Sequence, residues 1–260
     1  MTKFLIAART DIGRTKQVNQ DAVLVEEAEA DIGPILFAAV SDGMGGLAMG
    51  EMASTKMSEA LSAWFENSLA AFVSRHGTII TYEEFQNEME FIIRKVSKEI
   101  ETLSTEMSGT TITGMLIAAG TYYIVHVGDS RAYAFRERLI QLTKDQTFVQ
   151  RELDRGNIRE EEIETHPKRS VLLQCVGASE IVIPEFQRGT YQEGDLFLLC
   201  SDGFRHKISI EEFNYLFSTD MMQTEEGMDR CIRTMIEKIK ERGEKDNITA
   251  ILIRVGQSNA

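Results

Sequence analysis

The hydrophobic positions of this chain follow two patterns: short apolar runs, and longer stretches with apolar residues three or four positions apart. Short runs bounded by glycine, asparagine or aspartate are typical of buried strands. On this criterion we predict strands at 4–8, 35–40, 111–118, 122–127, 131–135, 182–188, 196–200 and 248–255. We predict that Gly120-Thr121 forms the hairpin turn between the third and fourth of these.

Helical spacing of apolar residues marks the remaining regular elements. It predicts helices at 51–65 and 228–241 and a third from 81, with its apolar stripe reaching 103 and Ser108-Gly109 ending it. We also predict short helices near 147–155 and at 209–217. Two of the predicted helices begin with a capping box, in which a Ser or Thr and a Glu three residues later satisfy each other's backbone groups. These boxes are Thr81 with Glu84 and Ser209 with Glu212.

The order of the elements is strands, two long helices, several strands, a polar segment, strands, two helices and a strand. Because strands and helices do not alternate regularly, the pattern predicts an α+β fold of layered, largely antiparallel sheets. No linker rich in glycine, serine or proline interrupts it, so we expect one domain over residues 1–260. Within it, residues 145–180 form a polar insert, with a mobile excursion expected around 156–170.

Charge and cysteine content narrow the function classes. The 260-residue chain carries 41 Asp and Glu against 28 Lys and Arg, a formal net charge of −13. Such an acidic chain is poorly suited to a nucleic-acid backbone, which requires clustered cations. The apolar runs are too short to span a bilayer, and the first residues predict a strand, not a signal peptide. Cys175, Cys200 and Cys231 form no regular framework, so we expect reduced core thiols and a cytoplasmic protein.

Carboxylates stand at the ends of several predicted strands. Three follow an apolar run, one precedes the last strand and one lies near the N-terminus: Asp42, Asp129, Asp202, Asp246 and Asp21, in that order. Taken singly, each is more simply a turn residue, because Asp-Gly is a favoured turn dipeptide. Taken together they become a candidate cation site, since the strand ends of one layered sheet can meet at the same rim.

Converging carboxylates would repel one another and raise one another's pKa values unless a cation lay between them. An all-oxygen set with no His or Cys nearby suits Mg²⁺ or Mn²⁺ better than Zn²⁺. Gly43, Gly45, Gly46 and Gly50 would let the backbone approach an ion or a phosphate, although a plain flexible turn would use the same glycines. Two bound cations can clamp a phosphoryl displacement and activate water, so a phosphate ester is the natural substrate.

A series of short motifs supports a more specific identification. They are Asp11-Ile12-Gly13-Arg14 with Asn19-Gln20-Asp21-Ala22; Val40-Ser41-Asp42-Gly43-Met44-Gly45-Gly46 with Gly50-Glu51 and Ala53-Ser54; Gly109-Thr110-Thr111; His126-Val127-Gly128-Asp129-Ser130-Arg131-Ala132-Tyr133; Leu142-Thr143-Lys144-Asp145; His166-Pro167; Leu199-Cys200-Ser201-Asp202-Gly203; and Asp246-Asn247-Ile248-Thr249. With these motifs the chain resembles the bacterial branch of the protein phosphatase 2C family, the metal-dependent serine/threonine phosphatases. The motifs keep the family's order, from about residue 7 to 255, which is a far more specific signal than any one of them.

The resemblance implies a four-layer α-β-β-α sandwich of two antiparallel sheets flanked by helices. It implies two Mn²⁺ or Mg²⁺ ions at the catalytic site, with Asp42 bridging both. Gly43 would give a backbone carbonyl to one ion, and Asp202 and Asp246 would complete the other site. Water bridging the two metals would attack phosphorus directly, without a phosphoenzyme.

Further positions follow from the same resemblance. Asp21 would hold metal-bound water, and Asp129, together with Asp202, would bind a third, weaker ion. Residues 145–180 would be the family's variable flap, next to the active site.

The chain also departs from the family's pattern at two positions. Lys16 stands where the family usually has an Arg that grips the substrate phosphate, and Lys lacks the bidentate fork. Gln20 stands where the family usually has Glu, which removes one negative charge. We expect weaker phosphate and metal binding, not abolished activity.

The leading hypothesis is a metal-dependent phosphatase acting on phosphoserine and phosphothreonine in proteins. A second is a catalytically weakened pseudophosphatase that binds phosphoproteins as a regulatory module, which Lys16 and Gln20 favour. A small-molecule phosphohydrolase is a third hypothesis, and an acidic domain whose aspartates serve only in Asp-Gly turns is a fourth. By family we expect a cognate Ser/Thr kinase as partner and a monomeric cytoplasmic enzyme, with no nucleic-acid or membrane partner.

Overall fold

A computed structural model describes residues 2–45, 47–103, 107–163 and 165–257. Its strands are β1 (Thr2–Asp11), β2 (Asp21–Ala30), β3 (Gly33–Met44), β4 (Gly109–Thr110), β5 (Ile112–Ala118), β6 (Thr121–Val127), β7 (Arg131–Phe135), β8 (Leu139–Gln141), β9 (Glu185–Thr190), β10 (Leu196–Cys200) and β11 (Ile248–Gln257). Its α-helices are α1 (Leu47–Ala63), α2 (Ala70–His76), α3 (Tyr82–Leu103), α4 (Phe148–Asp154), α5 (Asp202–Arg205), α6 (Ile210–Phe217) and α7 (Glu225–Glu241). Gly46, part of the predicted glycine-rich stretch, lies outside the described residues.

The strands form two antiparallel sheets. The first has the order β1-β11-β10-β7-β8, and the second has the order β2-β3-β5-β6-β9, with β4 paired to β3. Neighbouring strands in both sheets run antiparallel. The prediction of antiparallel sheets is therefore confirmed.

Three layers of apolar packing hold the sheets and helices together. One lies between the two sheets, where side chains of β3, β5 and β6 meet those of β10 and β11. Another packs α1 and α3 on the outer face of the second sheet, and the last packs α6 and α7 on the outer face of the first. The result is the four-layer α-β-β-α sandwich that the resemblance implied.

Strand β3 explains why the central strands are uninterrupted apolar runs. Leu36 and Val40 pack between the sheets, whereas Phe37 and Ala39 pack against the helices. Successive side chains of a strand point to opposite faces, so a strand buried on both faces must be apolar throughout.

Both predicted capping boxes are present. Thr81 N donates to Glu84 Oε2 at 2.7 Å, and Glu84 N donates to Thr81 Oγ1 at 3.2 Å. Ser209 and Glu212 make the same reciprocal pair at the start of α6. The local sequence is sufficient here because each box satisfies its own helix end.

Strand β2 is an element that the hydrophobic pattern missed. It forms the edge of the second sheet next to β3, and its residues are only partly buried. Val23 and Val25 pack towards the core between the sheets, but Glu26, Glu27 and Glu29 interrupt the apolar pattern. Charged residues on an exposed edge oppose unwanted pairing with other strands, which explains why this strand carries them.

The helix predicted at 51–65 is longer than expected. Helical backbone runs from α1 through a π-helical turn, Trp64–Leu69, into α2. It ends at Gly77, which caps α2 in the left-handed conformation with φ of 65°. That glycine, a common helix terminator, was the overlooked signal.

The hairpin between β5 and β6 turns one residue earlier than predicted. Ala119 and Gly120 both have positive φ, 48° and 79°, and Thr121 already belongs to β6. Two successive residues with positive φ are typical of a type I′ turn, which matches the twist of a hairpin.

The three cysteines are buried free thiols, as predicted. Of the helices in the described residues, none is both long and apolar enough to cross a membrane. In the 145–180 segment, α4 confirms the helix predicted near 147–155, and a 3-10 turn follows at Glu160–Glu162.

Candidate active site

One cleft, of about 540 Å³, collects nearly all the predicted site residues. The predicted residues that line it are Lys16, Asp42, Gly43, Asp129, Asp202 and Asp246. Asp21 is not part of the lining but lies opposite Asp42 in the β2–β3 register. We call Asp21, Asp42, Asp129, Asp202 and Asp246 the carboxylate cluster.

The carboxylate cluster is built by both sheets, not by the rim of one sheet as expected from sequence. Asp42 belongs to β3 of the second sheet, and Asp129 lies in the connection from β6 to β7 that crosses to the first sheet. Asp202 begins α5 after β10, and Asp246 precedes β11. Strands β10 and β11 are neighbours in the first sheet. The stacking of the two sheets is thus what brings the carboxylates together.

Asp42 is a strand residue, which corrects the prediction that it follows the strand in a turn. β3 continues through Met44, and the backbone of Asp42 is fixed from the side by the Gly109-Thr110-Thr111 motif. Thr111 Oγ1 accepts from Asp42 N at 2.9 Å, and Asp42 O accepts from Thr111 N at 2.8 Å. The backbone of Asp42 is thereby held while its carboxylate faces the cleft.

Gly43 stands where a side chain does not fit. A Cβ added there would lie 2.2 Å from Gly50 O and 2.5 Å from Gln20 O. Gly43 N also donates to Gln20 O at 3.0 Å. The glycine lets the loop before β2 and the start of α1 close around β3 at the cleft.

Gln20 lines the cleft and holds the glycine-rich loop through its side chain. Its Nε2 donates to Gly45 O at 3.2 Å, and its backbone O also accepts from Ser54 Oγ at 2.6 Å. A Gln at this position therefore acts as a donor to the loop, a role that a Glu carboxylate cannot fill.

Asn247, next to Asp246, ties the N-terminal loop to the first sheet. Its Nδ2 donates to Ile12 O at 3.0 Å and to Val18 O at 3.3 Å, and its Oδ1 accepts from Gln20 N at 2.9 Å. One side chain thus places the loop that carries Lys16 against the turn that carries Asp246.

Glu244 and His206 are site neighbours that sequence reasoning missed. Glu244 Oε1 accepts from the backbone N–H groups of Lys245 and Asp246, at 2.7 and 3.1 Å, which shapes the turn before β11. His206 lies between two acids, with Nε2 3.7 Å from Asp202 Oδ2 and Nδ1 3.8 Å from Glu244 Oε2. The expectation of no His near the cluster was therefore wrong, and no spacing pattern of histidines could have revealed this one.

The members of the cluster shift one another's protonation strongly. Burial raises the pKa of Asp42 well above its usual range, and the neighbouring charges of Asp21, Asp202, Asp129 and Asp246 raise it further. Burial likewise raises the pKa of Asp21 to about 7 and that of Asp129 to about 7, with Asp202 adding to both. These are the shifts expected of anions gathered without enough positive charge among them.

Lys16 supplies part of that positive charge. Its Nζ lies 2.6 Å from Asp246 Oδ1, and both side chains are partly exposed to the cleft. Burial works against the ammonium, but the hydrogen bond to Asp246 and the charges of Asp246, Asp42 and Asp202 together raise its pKa.

A second buried charge cluster adjoins the first. We call Arg131, Asp145 and Arg205 the arginine–aspartate network. Arg131 binds Asp145 through two hydrogen bonds of 2.7 Å, and Arg205 Nη2 lies 3.2 Å from Asp145 Oδ2 and 3.4 Å from the backbone O of Asp129. The motif Leu142-Thr143-Lys144-Asp145 pointed to Asp145, but nothing local to the sequence indicated Arg205 as its partner.

The cleft's far wall comes from the 145–180 segment. Ser170, Val171 and Leu172 line it, together with Gln174 and Cys175. Isolated bridges hold this wall in place, Thr147 with Leu172 and Thr110 with Val176. The second half of the segment therefore lies beside the carboxylates.

The chemistry of the donors fits divalent cations. Two buried carboxylate oxygens, Asp21 Oδ2 and Asp202 Oδ1, accept no hydrogen bond within the described residues. Hard oxygen donors with excess negative charge suit Mg²⁺ or Mn²⁺. As positioned, no three His, Cys, Asp or Glu side chains of the described chain surround a single point closely enough to hold an ion.

Comparison with known proteins gives consistent matches over nearly the whole chain. A family model described as Protein phosphatase 2C matches residues 12–253. "Serine/threonine phosphatase stp" of Listeria monocytogenes serotype 4b (strain F2365) is 32% identical over 252 residues, covering 94% of this chain and 93% of that protein. These names lend no support to the pseudophosphatase hypothesis.

Two solved structures share the architecture. The serine/threonine phosphatase of S. agalactiae matches with a TM-score of 0.83 and 27% identity, over 97% of this chain and 100% of that chain. The catalytic domain of the serine threonine protein phosphatase PstP, in complex with 2 manganese ions, matches with a TM-score of 0.78 and 28% identity, over 99% of this chain and 100% of that chain.

Proposed function

The chain belongs to the protein phosphatase 2C family and is a protein-serine/threonine phosphatase, and from that premise we propose that the carboxylate cluster is its catalytic centre. One observation carries the proposal: carboxylates from both sheets meet around Gly43 in a single open cleft. An open cleft suits a phosphorylated side chain that projects from a folded or extended protein.

We assign the metal-binding residues from the family resemblance, and the chemistry of their oxygens supports the assignment. Asp42, the Gly43 carbonyl, Asp202 and Asp246 would hold two Mn²⁺ or Mg²⁺ ions, and Asp129 would contribute to a third. When bound, such ions activate water for direct attack on phosphorus and neutralise the phosphoryl oxygens. Asp21, buried opposite Asp42, would orient the water around them.

The chain's own residues position the reactants. Lys16 is the cation of the cleft that we assign to the substrate phosphate, because its ammonium already lies among the carboxylates. Thr111 holds the backbone of Asp42, and the Asn247 side chain holds the loop that carries Lys16. Preorganisation of this kind lowers the barrier because fewer groups must reorient during the reaction.

The substrates we propose are phosphoserine and phosphothreonine proteins, including a cognate Ser/Thr kinase. Residues 145–180 would act as the flap of a single domain, since residues of their second half line the same cleft as the carboxylates. A protein substrate would contact these residues on its way to the cluster, whereas a small phosphate ester would not need to.

The test is hydrolysis of a phosphothreonine peptide by the purified protein with EDTA, Mg²⁺ or Mn²⁺. We expect turnover with Mn²⁺ and none with EDTA. A phosphotyrosine peptide of the same sequence is the control for residue specificity. Absence of turnover at millimolar Mn²⁺ would refute the proposal, and faster hydrolysis of the phosphotyrosine peptide would refute the substrate class.

A further inference from the structure

A second cavity lies beside the catalytic cleft, between α3 and the segment that leads into β9. Its volume is about 530 Å³, close to the volume of the cleft, about 540 Å³. One wall is the face of α3 that carries Arg94, Ser97 and Lys98, and the other wall is formed by residues 179–184. We call this cavity the α3 groove.

The α3 groove adjoins the catalytic cleft. Ser179 lines both spaces. Gln174, which lines the cleft, also holds the groove wall, because its Nε2 donates to Ile183 O at 2.7 Å and its Oε1 accepts from Ile183 N at 2.8 Å. A polypeptide whose phosphorylated residue lies in the cleft would therefore have a direct path into the groove.

The two walls of the α3 groove are fastened to each other. Gly177 N donates to Ser97 Oγ at 3.0 Å. Gly177 has a φ of 99°, and a Cβ added there would lie 2.5 Å from Ile100 Cγ2, so only glycine lets the chain approach α3 this closely. Val182 packs against the apolar core that α3 shares with the second sheet. The groove is thus preformed, and a ligand would not have to order it on binding.

The groove wall presents apolar side chains to solvent. Val182 packs inward, whereas Ile181 and Ile183 on either side of it line the groove and are 71% and 69% exposed. A single exposed isoleucine needs no explanation, but these two lie on the wall of a concave space. The adjoining cleft adds two more exposed apolar residues, Met107 and Val171. Apolar side chains exposed in a cavity are typical of a binding site.

The charged side chains of the α3 groove nearly cancel. Arg94 and Lys98 supply two cations, and Glu90, Glu101 and Glu180 supply three carboxylates. Arg94 Nη2 and Glu90 Oε2 are 4.0 Å apart, within ion-pair distance. A groove with so little net charge does not select an acidic or a basic partner by long-range attraction, so its isoleucines indicate an apolar one.

We propose that the α3 groove binds an aliphatic or aromatic side chain that flanks the phosphoresidue of the protein substrate. The inference rests on the proposed function and specifies its substrate class. The carboxylate cluster and Lys16 serve the phosphate, which every phosphoprotein offers, so selection among phosphoproteins requires contacts outside the cleft. Burial of an apolar side chain against Ile181 and Ile183 supplies such a contact.

The test uses phosphothreonine peptides of equal length in which one Leu is moved along an otherwise Ser-rich sequence on both sides of the phosphothreonine. We expect one Leu position to raise kcat/KM about 5- to 10-fold over the peptide without Leu, because burial of each methylene group corresponds to about fourfold. Ile181→Ser and Ile183→Ser should each reduce this gain by about two- to fourfold. Both variants should hydrolyse the peptide without Leu and p-nitrophenyl phosphate as the wild type does, since neither substrate places an apolar side chain in the groove.

Ile140→Ser is the matched control, because Ile140 is also an exposed isoleucine but lies on β8 and lines neither space. The melting temperatures of all three variants should stay close to that of the wild type, since each substitution changes an exposed side chain. No gain at any Leu position would overturn the proposal. A gain that both groove variants retain, or that Ile140→Ser reduces as much as Ile183→Ser does, would also overturn it.

A second copy of this chain is the alternative occupant of the α3 groove. Sedimentation of the purified protein separates the two. A monomeric wild type supports the substrate as the occupant, whereas a dimer that Ile183→Ser dissociates would overturn the proposal.

Binding of the labelled peptides in EDTA, measured by fluorescence anisotropy, separates this proposal from the proposed function. Tighter binding of the Leu peptide that is lost in Ile183→Ser supports the groove even in the absence of turnover. Turnover of all the peptides with equal kcat/KM overturns the groove and leaves the phosphatase function intact.

Discussion

The two buried charge clusters at this end of the sandwich have opposite electrostatic character, although both are built on aspartates. In the arginine–aspartate network, burial raises the pKa of Asp145, but the hydrogen bonds and charges of Arg131 and Arg205 reverse the effect and lower it. In the carboxylate cluster, burial and the neighbouring carboxylates outweigh the charges of Arg205, Arg131 and Lys16. The pKa values of Asp21, Asp42, Asp129 and Asp202 are therefore raised. Asp145 thus has two cationic partners within the protein, whereas the carboxylate cluster has more negative than positive charge.

This difference separates a structural role from a functional one. An aspartate with two buried guanidinium partners contributes to the native state, since its removal leaves those cations unpaired. An aspartate among other aspartates costs stability, and a cost of this kind is typical of binding and catalytic sites.

The largest effect is expected on activity when the carboxylate cluster is broken. Asp42→Ala or Asp202→Ala should lower kcat/KM by at least about 10³-fold, because a catalytic ion supplies several kcal/mol to the transition state. The melting temperature in EDTA should stay the same or rise, since one repelling charge is removed. Asp31→Ala, in the exposed turn between β2 and β3, is the control and should change neither quantity. Retained turnover in either cluster variant would contradict the metal assignment.

The second prediction concerns a substitution that disrupts the arginine–aspartate network. Asp145→Ala should lower the free energy of unfolding by about 3–5 kcal/mol, because Arg131 and Arg205 are left buried and unpaired. Denaturant unfolding in EDTA measures this directly. Arg205→Met, which keeps apolar volume but removes a cation, should destabilise less, since Arg131 still pairs with Asp145. A stability of Asp145→Ala equal to that of Asp42→Ala would remove the distinction between the two clusters.

The third prediction concerns pH. In the metal-free protein Asp21 and Asp129, with folded pKa values of about 7, bind more protons than in the unfolded chain. Their contribution to stability therefore falls as pH rises from about 4 and is lost once the pH has passed the folded pKa of about 7. Buried His126 acts in the opposite direction. Burial lowers its pKa to about 4, so its contribution to stability rises with pH until the pH passes the pKa of an unfolded histidine, about 6.5.

We accordingly expect the EDTA-treated protein to lose several degrees of melting temperature between pH 6 and pH 8. Over this interval the loss from the two aspartates exceeds the remaining gain from His126, which levels off above its unfolded pKa of about 6.5. Saturating Mn²⁺ should abolish this loss, since bound cations favour the ionised carboxylates. Asp129→Asn should flatten the profile in EDTA. A melting temperature that rises with pH over this interval would show that the cluster is already neutralised.

The smallest effect is expected at Lys16. Lys16→Arg should lower KM for phosphopeptides by a few-fold, because a guanidinium can bind a phosphate through two hydrogen bonds. Lys16→Gln is the paired variant and should raise KM. An unchanged KM in both variants would mean that Lys16 forms an ion pair with Asp246 but does not contact the substrate phosphate.

Much of the architecture could be predicted because its signals are local. The runs that became β3 and β10 are apolar at every position, which only a strand buried on both faces requires. The capping boxes at Thr81 and Ser209 involve contacts three residues apart. β2 was missed because an edge strand can carry acidic residues, and these interrupt the run of apolar residues by which the other strands were recognised.

The site was predictable in composition but not in its geometry. Asp42, Asp129, Asp202 and Asp246 stood out as acids at strand ends, and the ordered motifs assigned them to one centre. Their origin in two different sheets was not visible, because sheet stacking depends on packing over the whole core.

The sequence by itself determined most of the strands, the helices α3 and α7, the list of candidate ligands and the family. Each of these depends on neighbouring residues or on ordered motifs, and so can be read along the chain. Only the tertiary structure decided which acids are compensated and which are not. The partners Arg205 of Asp145 and Lys16 of Asp246 lie 60 and 230 positions away along the chain, by their residue numbers. The sign of a buried acid's pKa shift depends on such partners, since burial and nearby charge act through space and not along the sequence.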